Sequence, residues 1–357
     1  MTVYWIVWIG ILMLGECCRL EDPVPDGCLT TERRRHTDLT CLFFVVASLL
    51  LIFIAGCRYY VGADFGAYYS YEGYLDFWDG LKNLEEPGIR LVYNIAVWIH
   101  KSGQFCIFCV AAVTLGLELL IIYRNTDQLE MALMLFLFMC WTACFNGVRQ
   151  ALAAAVLFCG YPALRDKKLI QYAVFVGLAF LCHRSAIVMI LAYFIVNRPV
   201  NTRNVIILLV ASFVVLESYD FVYKFVNVVM DNEITGAEGY WNSSVNILRT
   251  LSKIAPAVVF LFFTRDMEKT PQMSFYLNIL LLHAVVAITT TNSACLARMS
   301  MYTAPFAVLA VAELVKIFDI RDRGLVSGAI VLLYWFMDWY EIHGSDSLNN
   351  FQLHWFG

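Results

Sequence analysis

QFCIFCVAAVTLGLELLIIY, residues 104–123, is a run of twenty residues broken by one charge, Glu118. As a helix rising 1.5 Å per residue it is about 30 Å long, the thickness of a bilayer's hydrocarbon core. Outward from it the pattern repeats. Further apolar runs occupy 2–15, 40–57, 129–145, 148–164, 169–182, 185–197, 204–219, 246–264, 273–291, 295–315 and 325–340. Residues 88–101 are apolar but short and follow Glu85-Glu86-Pro87-Gly88, which predicts a half-helix or re-entrant segment. The expected fold class is therefore all-α, a polytopic membrane helical bundle of about twelve transmembrane helices plus one partial helix. No internal repeat or linker divides residues 1–357, which read as a single integral membrane domain with outer loops at about 58–88 and 219–245.

Composition agrees. The 357 residues are 61% hydrophobic and only 15% charged, with mean hydropathy +0.67, too little charge to keep a soluble domain in water. A net charge of −4 offers no basic surface for nucleic acid. Most of the 12 cysteines lie inside apolar runs and read as small buried hydrophobes. Cys106 and Cys109 have the spacing of a zinc pair but no second pair accompanies them, so neither metal nor cofactor is expected. Glu16 stands where a lipoprotein cleavage site needs a small residue, so Cys17 and Cys18 do not predict a lipid anchor.

Basic residues set the orientation. Arg19 and Arg33–Arg35 follow the first span and belong in the cytoplasm by the positive-inside rule. Alternating from there brings Arg124, Arg165, Lys167, Lys168, Arg198, Arg203, Arg265, Lys269, Lys316, Arg321 and Arg323 to the same side. Both chain ends are then extracytoplasmic, and the outer loops are acidic. Six arginines break the pattern at outer helix ends: Arg58, Arg90, Arg149, Arg184, Arg249 and Arg298. A charge at bilayer depth costs about 2.5–3.5 kcal/mol on insertion scales, so each faces an interface, a carboxylate, or a polar cavity. A set of them around one bundle suits an anionic headgroup, because guanidinium grips phosphate through paired N–H groups.

Three neighbourhoods carry these arginines. Arg58-Tyr59-Tyr60-Val61-Gly62-Ala63-Asp64-Phe65-Gly66-Ala67-Tyr68 leaves a span through a glycine turn, where Asp64 is placed to pair with Arg58. Asn146-Gly147-Val148-Arg149-Gln150 forms a polar hairpin in which Asn146 is a candidate helix cap. His183-Arg184-Ser185 marks the next outward turn and offers a proton acceptor. Tyr59, Tyr60, Tyr68, Tyr69, Tyr71 and Tyr74 suit either sugar stacking or an interfacial aromatic belt.

The Arg58-x-x-x-Gly62-x-Asp64 loop, the Glu86-Pro87-Gly88 helix start, the Asn146-x-x-Arg149-Gln150 hairpin with its small residues, and the His183-x-Ser185 turn together resemble the EpsG family, relatives of Wzy-type polysaccharide polymerases. The resemblance is carried by residues 40–200; beyond 200 only hydropathy matches. It implies a GT-C-like glycosyltransferase of the bacterial inner membrane that joins polyprenyl-diphosphate-linked oligosaccharide repeat units for exopolysaccharide, capsule or O-antigen, with a chain-length regulator and export machinery as partners. In that reading Arg149 and Arg184, with Arg58 or Arg298, would stabilise the departing diphosphate, and Asp64, Glu72 and His183 are candidate bases. Tyr68, Asn146, Gln150 and Arg90 complete the expected substrate contacts together with Arg249, which like Arg298 is assigned from charge placement alone. A lipid-linked oligosaccharide flippase and a ligase of the O-antigen type are the alternatives. A flippase should carry unusual charge along both halves of its path.

Overall fold

A computed structural model describes residues 1–18, 37–218 and 245–355. The expected outer loop at 219–245 therefore lies outside the described residues except for its last position, as do Arg19 and Arg33–Arg35. The described chain is helical apart from one two-residue strand pair.

Five helices are long and apolar enough to cross a membrane: Asp38–Gly56, Gly103–Asn125, Pro271–Thr289, Ala294–Ile317 and Ile320–His343. The other expected spans are also helical, but shorter or interrupted. The principal helices are α1 (Thr2–Cys17), α2 (Asp38–Gly56), α3 (Pro87–Ile99), α4 (Gly103–Asn125), α5 (Leu129–Phe136), α6 (Val148–Phe158), α7 (Leu169–Cys182), α8 (Ile190–Val196), α9 (Thr202–Glu217), α10 (Ile247–Phe263), α11 (Pro271–Thr289), α12 (Ser300–Leu314) and α13 (Ile320–His343).

Local chemistry places the ends. Thr37 caps α2 by accepting the Thr40 N–H at 3.1 Å, and Thr270 caps α11 the same way, with Pro271 at its first position. The run 129–145 is not one α-helix: after α5 it widens into a π turn at Leu137–Trp141 and closes in a 3-10 turn at Ala143–Phe145. The buried Asp338 of α13 meets this distorted stretch, accepting from Thr142 Oγ1 at 2.7 Å and from Trp8 Nε1 at 3.2 Å. The run 148–164 likewise breaks near Gly160 and Pro162 into α6 and the short helix Tyr161–Arg165.

One buried apolar cluster runs from Tyr4 in α1 to Leu348 near the C-terminus and holds these helices together. Burial is densest along α12, where every described position from Tyr302 to Leu314 is covered. Many outward positions of α1, α2, α9 and α10 remain apolar and exposed, among them Ile6, Met13, Leu49, Phe213 and Phe262, as lipid-facing helices require.

The bundle has two distinct ends. At one, Arg58–Tyr59 pairs antiparallel with Gln352–Leu353, and the Met1 amino group donates to Asn349 O at 3.1 Å. The first residues and the described C-terminal residues thus share the end that carries the 58–88 loop. The opposite end gathers Arg124, Arg165, Lys167, Arg198 and Lys269.

Candidate active site

At the 58–88 end, three chain segments are fitted together by glycines. Gly62 has φ +98°, a conformation that side chains resist, and its Cα abuts Phe145 O with Asn146 Oδ1 beside it, leaving no room for a Cβ. The 62–64 turn therefore lies directly on the 145–147 hairpin. Ala63 N–H donates to Asn146 Oδ1 at 2.6 Å, and Gly147 N–H donates to Asp64 Oδ2 at 3.0 Å. Asn146 is thus a brace for the 58–68 loop, and left-handed Gly147 (φ +65°) takes the N-cap position of α6 that the sequence offered to Asn146.

Glu86 is positioned in the same manner. It stands at the N-cap of α3 in a left-handed conformation (φ 52°), a backbone strain of about 1 kcal/mol or more, and Pro87 starts the helix behind it. Gly88 packs so closely on Cys182 that a Cβ would collide with its Sγ, which brings the end of α7 against the start of α3. His183, the next residue, consequently meets Glu86 through Nδ1 and Oε1. From α6, Arg149 donates Nη1 to Glu86 Oε2 at 2.6 Å and Nε to Tyr68 OH at 3.3 Å.

Glu86 is therefore shared by Arg149 and His183. Its side chain is 12% exposed, against 42% for Arg149 and 20% for His183, so the cluster opens on its guanidinium side. Burial pushes the Glu86 carboxyl up, but the His183 hydrogen bond and the Arg149 charge outweigh it and hold it below its ordinary value of 4.5. An ionised Glu86 accepts from both neighbours, so His183 Nδ1 is the donor and Nε2 is the ring nitrogen turned away from the carboxylate.

A second pair adjoins the first across the 146–149 hairpin. Arg298 reaches Asp64 Oδ2 at 3.1 Å, and its side chain passes within 3.7 Å of the position a Gly147 Cβ would occupy. Gln150 approaches Met299 Sδ at 3.9 Å, and Ser185 Oγ bonds Tyr302 OH at 2.8 Å, tying α6 and the 183–185 turn to the start of α12. Tyr68 stacks on Tyr74 at 6.0 Å, and Tyr93 OH donates to Tyr68 O at 2.9 Å.

Of the expected site residues, the structure brings together Asp64, Tyr68, Asn146, Arg149, Gln150, His183 and Arg298. Asp64 pairs with Arg298 instead of Arg58. Arg58 is 3% exposed, gives Nη1 to Ala55 O at 2.6 Å and lies over the Phe145 ring at 5.0 Å, buried behind the hairpin. Arg90 bonds Glu85 and Asp76 O on the loop, and Arg184 gives Nε to Leu84 O at 3.2 Å. Arg249 pairs with Glu341 on α13, and Glu72 is exposed in the 71–74 turn. The arginine cluster is thus smaller than the six expected, because four of them find local acceptors. Mid-span Glu118 is buried, with Oε2 unbonded and no ion pair among the described residues.

Glu86 itself was legible only as a loop acid opening a half-helix. The available signal was its position: a carboxylate directly before Pro-Gly at a helix N-terminus is held by the backbone and faces the next element to pack there.

A bundle of apolar helices whose one end presents a shared carboxylate, a histidine and two arginines is a polytopic membrane protein with a polar site at its mouth. The model of the EpsG family matches residues 41–354, nearly the whole chain, and the protein belongs to that family. The match extends well past residue 200, where motifs had given out. No curated protein and no solved structure matches the chain.

Proposed function

We propose that this protein is a glycosyltransferase that polymerises polyprenyl-diphosphate-linked oligosaccharide repeat units at the outer face of the bacterial inner membrane, acting as one integral membrane domain of GT-C-like architecture with about twelve passes. Membership of the EpsG family supports a role in exopolysaccharide synthesis. The observation that carries the chemistry is Glu86 shared between Arg149 and His183, with the Asp64–Arg298 pair beside it.

In this reading a sugar hydroxyl of one lipid-linked unit attacks the anomeric carbon at the end of another chain. The new glycosidic bond forms as the bond from that carbon to the diphosphate oxygen breaks. His183 Nε2 takes the hydroxyl proton, while Glu86 on Nδ1 orients the ring and stabilises the imidazolium that results. The departing diphosphate gains negative charge, and Arg149 lies where it can meet it: Nη1 and Nε are engaged, and Nη2 has no partner among the described residues. Asp64 accepts both Gly147 N–H and Arg298 at one oxygen, so its part is to brace the hairpin and aim Arg298.

The opposite, basic end is then cytoplasmic and both chain ends extracytoplasmic. Purified protein supplied with lipid-linked repeat units should give a ladder of lengthening products, which a flippase does not. Arg149→Ala should still insert in the membrane but leave single units on the carrier. Long polymer from that variant would remove Arg149 from the mechanism, and transfer to a foreign acceptor without a ladder would favour the ligase.

A further inference from the structure

A second concavity lies far from Glu86, at the opposite end of the bundle. It encloses about 570 Å³ between the last turn of α4, the Tyr161–Arg165 helix, the end of α8, the start of α11 and the end of α12. That volume falls in the range of about 300–1,000 Å³ typical of small-molecule sites. Val196, Phe275 and Tyr276 supply apolar wall, and five basic residues face three acidic ones around it.

The acids are already engaged. Asp166 accepts from Arg165 at 3.1 Å and from Lys168 at 3.4 Å. Glu313 accepts from Lys316 at 2.8 Å and Thr126 at 2.6 Å, and Lys316 also lies 3.9 Å from Asp127. Lys168 and Lys316 do not line the cavity, so neutralising the acids leaves an excess of positive charge on its wall.

Arg124, Lys167, Arg198 and Lys269 have no carboxylate partner among the described residues. Arg198 gives Nε to Phe194 O and Lys269 gives Nζ to Thr264 O, both backbone acceptors that leave the charge uncompensated. The positive-inside rule explains why basic residues abound at this end. It does not explain why four of them, from four segments far apart in sequence, share one concavity. Cations brought together without counter-charge repel one another, and a concave lining of one sign concentrates a potential that attracts anions.

We infer that this cavity binds a phosphate group, gripped by the Arg124 and Arg198 guanidinium forks with Lys167 and Lys269 as point charges. Basic pockets between transmembrane helices take anionic lipid headgroups, and a soluble phosphate ester has the same chemistry. The site is separate from the glycan-joining reaction, since none of its residues belongs to the Glu86 cluster.

The test uses the full-length protein in neutral detergent. The probes are phosphatidylglycerol, a glucosyl diacylglycerol without phosphate, and glycerol 1-phosphate, read by lipid retention in native mass spectrometry and by melting temperature. Phosphatidylglycerol should be retained and raise the melting temperature while the phosphate-free glycolipid does neither. If glycerol 1-phosphate stabilises equally, the phosphate site stands and its source is soluble. At roughly 1 kcal/mol for each basic residue, removing one charge weakens binding about fivefold, and Arg124→Gln with Arg198→Gln on the order of thirtyfold. Both side chains are exposed and form no ion pair among the described residues, so the ligand-free melting temperature of this double variant should match the parent. Lys167→Gln with Lys269→Gln provides an independent second pair. Equal retention of the phosphate-free glycolipid, no binding of either phosphate probe, or unchanged affinity in both double variants would overturn the inference.

Discussion

Glu86→Gln is the substitution on which the proposed chemistry depends most directly. It keeps the shape of the side chain and removes its charge, so His183 Nδ1 retains an acceptor while Arg149 faces a neutral amide. A hydrogen bond to a charged group contributes about 1.5–3 kcal/mol when well buried. Arg149, at 42% exposed, is partly hydrated, which pulls its 2.6 Å contact towards about 1 kcal/mol; the His183 contact, more enclosed, weakens by about as much when its acceptor loses charge. The variant should therefore lose about 2 kcal/mol of local stability, small enough for the bundle to remain folded, since its apolar core is untouched. Activity should fall much further, by about 10²-fold or more, because an oriented general base contributes about 10²–10⁴-fold. Chain extension on lipid-linked repeat units, followed by gel ladder at saturating substrate, measures the rate, and a melting curve in the same detergent measures the fold. Rates within a few-fold of the parent in a protein that melts normally would refute the Glu86–His183 assignment. A variant that fails to melt cooperatively is replaced by Glu86→Asp, which should keep the charge and recover part of the rate.

Acid should act through the same carboxylate. Since Glu86 is held below its ordinary value of 4.5, its stabilising contribution is fully present above that pH and is lost as pH falls through the lower folded value. The melting-temperature gap between parent and Glu86→Gln should narrow below about pH 4.5; a gap independent of pH would sink the assignment. Gly62→Ala should destabilise the fold by about 1–3 kcal/mol, seen as a lower melting temperature and a lower yield of folded protein, because both its φ of +98° and the neighbouring Phe145 O exclude a Cβ. A normal melting curve for that variant would show that the 58–68 loop is not seated on the hairpin. Cysteines introduced singly in the 71–83 stretch should react with an impermeant thiol reagent added to intact cells with the outer membrane permeabilised, and labelling only after the inner membrane is opened would invert the orientation.

The amino-acid sequence was sufficient to place the helices, because a bilayer imposes a length and an apolarity on every segment that enters it. Residues 104–123 became Gly103–Asn125, 40–57 became Asp38–Gly56 and 273–291 became Pro271–Thr289. It was less informative about interruptions: the π turn at Leu137–Trp141 arises where α5 meets the rest of the bundle, and apolar residues read alike in either helix. The four motif neighbourhoods were visible for a related reason, since glycine, proline and charge are costly in such a setting. What only the tertiary structure decided is which charges meet. Glu86 and Arg149 are 63 positions apart, Glu86 and His183 are 97 apart, and Asp64 and Gly147 are 83 apart. The six arginines expected at outer helix ends look equivalent along the chain, yet Arg58, Arg90, Arg184 and Arg249 are drawn to acceptors within their own surroundings, and of the six only Arg149 and Arg298 pair with Glu86 and Asp64. Ion pairs form over a few ångströms between groups that helix packing, not chain order, brings into register, and that packing rests on contacts such as Gly88 against Cys182 and Gly62 against Phe145.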